Sequence, residues 1–555
     1  MTNEMTVRAL VESAFQSAGL NPVSIQVRSF PGETIAIVEV DREYARALAV
    51  AQTIDAKIDN GFVTIRQVEP ANAKKHGAGS VKSVHSPQVA GLLELLNARS
   101  RTSESQPSLR YIKDVEERLS LAVSPRHHLI FGRRGVGKTS LLLEAKRVLE
   151  GLGAFALWIN MQPLRGLRAG QAFLTIVLRI CDLSIGAFQS GKSTVSSIEL
   201  FRTLRSVVEQ RLYDPSLTSD QASALVPQVQ QAVSRFCIDA GRPLYLFLDD
   251  IHYLPTTEVP LFLDLLHGIT RDNPMWLKVA GIQHQTRWFI PTPPTGLQTG
   301  HDAAIINLDV TLEHPEKAKV FLQDVLKGYV EECGVLPLSK VLSASAIDRL
   351  VLASGGVPRD FLTLCASSLQ TARQREKAQT VGVQDVNNAA GIAGQTKLQE
   401  LEDDAAATFG RSVALVASLN KIRDFLLERE KITYFRVDFR DKEMHAAAYR
   451  VLQALSDLRM LHLINASLSD PHHAGQRSEV YLLDLSQYSG SRLKQRLRVL
   501  DFERGHLVLK RTRSSEPPKI GDTVLRLVAL LRQGPSLVLS ELATEGVEET
   551  DVVAA

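Results

Sequence analysis

At 555 residues the chain has room for three or four domains of about 100–200 residues each. Apolar content of 44% and charged content of 23% are ordinary for soluble globular chains, and a net charge of +3 does not by itself point to nucleic acid. Cys181, Cys237, Cys333 and Cys365 lack C-x-x-C spacing, no basic-then-apolar leader opens the chain, and no run approaches the roughly 18 apolar residues of a membrane helix; this argues against a zinc site, a disulfide framework or a membrane partner, and the expectation is a soluble cytoplasmic protein.

Residues 5–18 carry helical spacing, with Val7, Leu10, Val11, Ala14 and Phe15 on one face. Residues 23–27 and 34–40 alternate like strands about Pro31-Gly32, a helix is expected over 41–58 and a strand over 62–68. Residues 1–69 therefore read as a small α+β domain with no catalytic cluster, suited to docking or oligomerisation without a sign of which. Residues 70–88, rich in Ala, Lys, His, Gly and Ser, read as a linker. A helix follows over 89–97 and another ends near Ser124-Pro125. Tyr111 and Ile112, just before it, either wall an adenine or belong to the core.

The stretch Gly132-Arg133-Arg134-Gly135-Val136-Gly137-Lys138-Thr139-Ser140 fits G-x-x-x-x-G-K-[ST]. A short apolar run, Leu129 to Phe131, precedes it, and a helical pattern follows. Such a loop turns successive backbone N–H groups onto a triphosphate. Lys138 would supply charge to the β- and γ-phosphates, and the Thr139 hydroxyl would be a Mg²⁺ ligand. The following helix would add its positive end.

Next come a buried strand over 154–159 and a mostly helical region over 168–240, broken at Tyr213-Asp214-Pro215. Leu244-Tyr245-Leu246-Phe247-Leu248-Asp249-Asp250 is an apolar strand ending in two acids, a Walker B pattern. At the C-terminal end of a parallel strand those acids would emerge beside the glycine loop. Asp249 would hold Mg²⁺, and Asp250 would orient or deprotonate the attacking water. A further apolar run over 276–282 closes on Gln283-His284-Gln285-Thr286-Arg287, residues 291–301 read as a loop, and 305–308 as the last strand. Alternating strands and helices over 89–310 predict an α/β, doubly wound parallel sheet. From 311 to 395 the pattern is helical, and Gly355-Gly356-Val357-Pro358-Arg359 breaks one helix and opens another.

The glycine loop, Leu246-Phe247-Leu248-Asp249-Asp250, the polar residues after the fourth strand and Gly355-Gly356-Val357-Pro358-Arg359 together resemble an AAA+ ATPase over about residues 105–395. Within that class the lid segment resembles the origin-recognition (ORC/CDC) initiator branch, with STAND-type signalling ATPases close behind. The resemblance implies that Arg359 is sensor 2 and that Gln283 or His284 stands at sensor 1, where asparagine is usual. Asp250 replaces the usual glutamate, one methylene longer, which implies slow hydrolysis. Arg287 is either an arginine finger or a solvated loop residue.

Residues 411–488 read as helix, short strand, helix and hairpin, which resembles a winged helix. In the DNA-reading version Arg440, Lys442, Arg450, His472, His473 and Arg477 would serve, although Glu443 and Asp457 sit on the helix that would read bases. Residues 489–555 read as a basic and then acidic tail, with nine Lys/Arg against three acids over 492–519. The expectation is an ATP- and Mg²⁺-dependent AAA+ switch that forms homo-oligomers or partner-protein assemblies and engages DNA through residues 411–519. The alternative is a signalling scaffold whose C-terminal modules bind protein.

Overall fold

The computed structural model describes residues 2–20, 22, 24–30, 33–40, 44–55, 58, 61–67, 81–98, 111–112, 117–189, 195–214, 216–406, 411–470, 475–490, 494, 496–503, 506–511, 519–521 and 524–542. They fall into two units, residues 1–80 and 81–555. The first contains α1 (Thr2–Ser17), β1 (Ser24–Phe30), β2 (Glu33–Val40), α2 (Tyr44–Asp55) and β3 (Gly61–Gln67), in the αββαβ order the periodicity predicts. Strand β2 lies between β1, antiparallel, and β3, parallel. Ala36, Val38 and Val40 project to one face of β2, and Val63 and Ile65 join them from β3. Val7, Val11 and Phe15, spaced by one helical turn, cover that face with Ala47, Ala51 and Ile54. The linker expected over 70–88 lies outside the described residues up to Ser80.

The second unit begins with α3 (Pro87–Ala98) and α4 (Arg118–Val123). It continues through β4 (His127–Phe131), α5 (Lys138–Gly151), β5 (Phe155–Asn160), α6 (Ala169–Gln189), α7 (Val195–Leu212), α8 (Ser219–Ser223), α9 (Val226–Ala240), β6 (Leu244–Asp249), α10 (Val259–Thr270) and β7 (Met275–Gly281). Then come the small strands β8 (Phe289–Pro291) and β9 (Pro294–Gly296), followed by β10 (Ala303–Asn307). Five strands form one sheet in the order β10-β4-β7-β6-β5, each pair parallel. Side chains alternate between two cores. Leu129, Leu246, Leu248 and Leu277 enter one with α6, α9 and α10, and Ile130, Phe247, Ala280 and Ile306 enter the other with α5. Parallel strands put all their C-terminal ends on one rim, where Asp250, Gln283 and His284 follow β6 and β7.

Two expectations change here. Residues 291–301 are not all loop, because β8 and β9 pair as an antiparallel hairpin. One segment, Ala169–Ala187 of α6, is long and apolar enough to cross a membrane by length and composition, contrary to the reading of no such run. Over half of it is buried, with Phe173, Ile176, Val177 and Ile180 packed in the sheet's core.

Helices α11 (Pro315–Glu332), α12 (Ala344–Ser354), α13 (Pro358–Arg373) and α14 (Val383–Ala406) follow. The C-terminal region holds α15 (Arg411–Arg423), a π-helical turn over Asp424–Glu430, β11 (Tyr434–Asp438), α16 (Phe439–Met444), α17 (Ala446–Asp457), β12 (Leu461–Ser469) and β13 (Arg477–Leu483). Its sheet runs β11-β13-β12, antiparallel. The single helix expected over 442–460 divides at His445 into α16 and α17. The segment read only by its charge contains a second sheet of β14 (Arg498–Glu503), β15 (His506–Arg511) and β16 (Lys519–Gly521), then α18 (Val524–Leu531). The acidic end expected over 541–551 lies almost wholly outside the described residues. A single core runs through α3, α11–α14 and these C-terminal elements. Buried ion pairs cross it: Arg349–Asp501 at 2.7 Å, Lys397–Asp484 at 3.1 Å, and Arg459–Asp360.

Candidate functional site

The glycine loop joins β4 to α5. Gly137 caps the helix at φ 108°, which a side chain would strain, and a Cβ there would meet no protein atom within 4 Å. The loop therefore opens onto free space at the helix N-terminus, as a phosphate cradle requires. Lys138 lies buried, its Nζ donating to the carbonyls of Gly132 at 2.7 Å and Arg133 at 3.2 Å. Burial lowers its pKa, the carboxylates of Asp250, Asp249 and Asp309 work against that, and nearby Arg359 adds to it. Val136 is buried below the loop, and Arg134 and Ser140 are half-buried.

Asp249 ends β6, and the Thr139 hydroxyl donates to its Oδ2 at 2.7 Å. Its other oxygen, Oδ1, is buried without a hydrogen-bond partner. Burial, and then Asp250, push the Asp249 carboxyl up to about 7, with Thr139 and Lys138 pulling the other way. A buried carboxylate with an orphaned oxygen beside a hydroxyl suits a divalent cation. Among the described residues no group of three His, Cys, Asp or Glu converges on one point. Mg²⁺ held by Thr139 and Asp249 would therefore take its remaining ligands from phosphate and water, as that ion commonly does.

Asp250 follows in the left-handed region, at φ 61° and ψ 46°, which turns its side chain off the strand direction. It stays within electrostatic reach of Lys138. After β7, Gln283 and His284 share one turn of 3₁₀ helix, Gln283 half-buried and His284 exposed. His284 lies within electrostatic reach of Asp309 and of Glu479 in β13. Arg287 is half-buried.

The helical segment closes over the loop. The Arg359 N–H donates to the Gly135 carbonyl at 3.3 Å. A Cβ on Gly135, at φ 85°, would stand 2.8 Å from Arg359 Cβ and 3.1 Å from Val357 Cγ1. Arg359, the second residue of α13, thus sits directly on the glycine loop and is exposed. Tyr111 packs at the edge of the core that contains Val136 and Val357, and Ile112 is half-buried.

Sequence reasoning missed two groups. Asp309, just past β10, accepts from the Arg133 backbone N–H at 2.9 Å and from its Nε at 3.2 Å. The same guanidinium donates to the carbonyls of Val310 and Gly355, so Arg133 ties loop, sheet and α12 together from inside. The only signal for Asp309 was an acid just beyond the last parallel strand. The other group is His252, described below.

Of the C-terminal cations, Lys442 forms an ion pair with buried Glu479 at 2.6 Å and lies over the rings of Phe439 and Tyr449. Tyr449 and Tyr481 donate to the same carboxylate. Lys442 is therefore neutralised within the protein rather than presented to a phosphate. Arg440 and Arg477 are exposed and Arg450 is half-buried, whereas His472 and His473 lie outside the described residues. In the basic segment Lys494 pairs with Glu428, and Lys510 with Asp501.

Residues 111–277 match the model of the AAA ATPase domain, less than a third of the chain but the part that contains the glycine loop and both aspartates. No curated protein matches the chain. Similar solved structures include the Aeropyrum pernix ORC1 protein in complex with DNA, at 14% identity and TM-score 0.31, covering 74% of this chain and 92% of that one. Cdc6p from Pyrobaculum aerophilum aligns at 13% identity and TM-score 0.30, covering 75% and 95%. The Thermotoga maritima RuvB Holliday junction branch migration motor aligns at 14% identity and TM-score 0.29, covering 54% and 81%. Superposition at that level is loose, and none of the three defines what this chain does.

Proposed function

We propose that this chain is an ATP-hydrolysing AAA+ switch, and that its C-terminal region engages DNA in a manner set by the bound nucleotide. The observation that carries the ATPase reading is the convergence on one rim of Lys138, the Thr139–Asp249 pair, Asp250 and Arg359, drawn from two strand ends and a helix start. Bound Mg²⁺ would neutralise charge on the β- and γ-phosphates. Lys138 would leave its two carbonyls for phosphate oxygens. Asp250 would align water against the γ-phosphate and take its proton. Arg359, anchored beside Gly135, would report the γ-phosphate to α13, and thence to the core shared with the C-terminal region.

For DNA, the helix–strand–helix–hairpin order and the exposed Arg440 and Arg477 support a winged-helix role. A protein-binding role is favoured by the Lys442–Glu479 pair, which withdraws one of the candidate cations from a phosphate. A DNA shift assay at low and moderate salt, with and without ATP, separates them. DNA engagement predicts ATP-sensitive binding that weakens with salt, and no binding at low salt in either state would remove it.

A further inference from the structure

We propose that His252 positions Asp250, donating from Nδ1–H to its carboxylate when nucleotide is bound and so aiming that carboxylate at the attacking water. This rests on the ATPase reading above. The Asp250 backbone is held in the left-handed region at the start of a 3₁₀ turn over Ile251–Tyr253. The fully buried Ile251 fixes that turn, packed so closely on Gly281 that a Cβ there would stand 2.7 Å from its methyl. The turn therefore cannot relax to suit the side chain it carries. Asp250 has no capping bond within it and is 35% exposed. An aspartate one methylene shorter than glutamate needs its orientation imposed by a neighbour.

His252 is placed to impose it. Its side chain is only 5% exposed, and its ring stacks on Tyr253 with centroids 4.8 Å apart. Its Nδ1 is buried without a hydrogen-bond partner and faces Asp250 Oδ1 at 3.9 Å. A buried nitrogen left unpaired has lost its water without a replacement, a penalty that a hydrogen bond would relieve. Closing that gap by about 1 Å would make an ordinary hydrogen bond. Burial, with Lys138 and Arg134 nearby, holds the imidazole neutral, at about 3. A neutral ring carries one N–H, and an Nδ1–H pointing at a carboxylate orients it without competing for the water's proton.

The test compares full-length His252→Asn, whose amide nitrogen stands near the place of Nδ1, with His252→Phe, which keeps the ring stacking and loses the donor. The expected result for His252→Phe is a kcat reduced about tenfold or more, with the Mg-ATP dissociation constant within about twofold of wild type. His252→Asn is expected to recover most of kcat. A phenylalanine variant that turns over like wild type, an asparagine variant as slow as the phenylalanine one, or losses in binding that equal those in kcat would each overturn the assignment. If His252→Phe fails to fold, His252→Gln replaces it, since its amide lies near Nε2 and should not rescue. Asp250→Asn separates the two levels. Wild-type activity lost in Asp250→Asn but kept in His252→Phe sinks the His252 assignment alone; a wild type that hydrolyses ATP no faster than Asp250→Asn removes Asp250 as the base and this inference with it; and a wild type with no measurable hydrolysis sinks the ATPase reading itself.

Discussion

At the residue scale, Lys138 is the group proposed to bind phosphate. Its ammonium is buried and held by two backbone carbonyls, which in the proposed reading it would exchange for phosphate oxygens. Lys138→Ala should therefore weaken ATP binding by roughly 10–100-fold or more, the worth of a charged hydrogen-bonding group, as calorimetry would read. Asp250→Asn should leave ATP binding intact and reduce turnover about 10²–10⁴-fold, the usual span for a general base; unchanged hydrolysis would remove Asp250 from that role. The glycine loop and the paired acids were legible as short local patterns at the ends of apolar strands, and the Thr139–Asp249 hydrogen bond brings them together. Asp309 was not, because its partner Arg133 lies 176 positions earlier and only the sheet brings them together.

At the element scale, strand β7 carries Lys278, fully buried, with Nζ donating to Ser124 O at 2.7 Å and Arg126 O at 2.9 Å and facing His128 Nδ1. It ties the end of α4 to the sheet's far pole. Burial lowers its pKa from 10.5 to about 7. The unfolded chain therefore binds the proton more tightly between about pH 7 and 10.5. Unfolding releases no such penalty once both states are neutral, so this group makes stability rise with pH across that window. Chemical denaturation at pH 7 and pH 9 should show a smaller rise in Lys278→Met than in wild type, and equal rises would contradict the burial of a titrating amine. Nothing in Met275-Trp276-Leu277-Lys278-Val279-Ala280-Gly281 announced this role, since a lysine in an apolar run reads equally as an edge residue. The break at His445 was likewise hidden, since the apolar spacing of α17 runs on smoothly from α16.

For the whole molecule, the parallel sense of the sheet follows from alternating strands and helices and was readable, whereas its strand order was not. The extent of the C-terminal core was not. Composition over 492–519 shows charge, whereas the structure buries Val499, Leu500, Phe502, Leu507 and Leu509 between those charges. Both strands bury consecutive residues, Val499 to Phe502 and Leu507 to Leu509, so no period-two alternation set them apart among the basic residues. Because α12–α14 share this core, removal of residues 411–555 would strand Arg349 without Asp501 and leave Asp360 and Lys397 only their mutual contact at 3.6 Å. Loss of one partner of a buried pair costs about 3–5 kcal/mol. The shortened chain should lose cooperative thermal unfolding, and a sharp transition at the wild-type temperature would show that the helical segment is independent.

The central claim is that Mg-nucleotide sits between the glycine loop and the Asp249 carboxylate. Calorimetric titration of ATP, in Mg²⁺ and in EDTA, into wild type and Asp249→Asn tests it most directly. Wild type should bind more tightly with Mg²⁺, and Asp249→Asn should bind with little or no gain from the ion. An undiminished Mg²⁺ effect in the variant would place the metal, and the chemistry that depends on it, somewhere else.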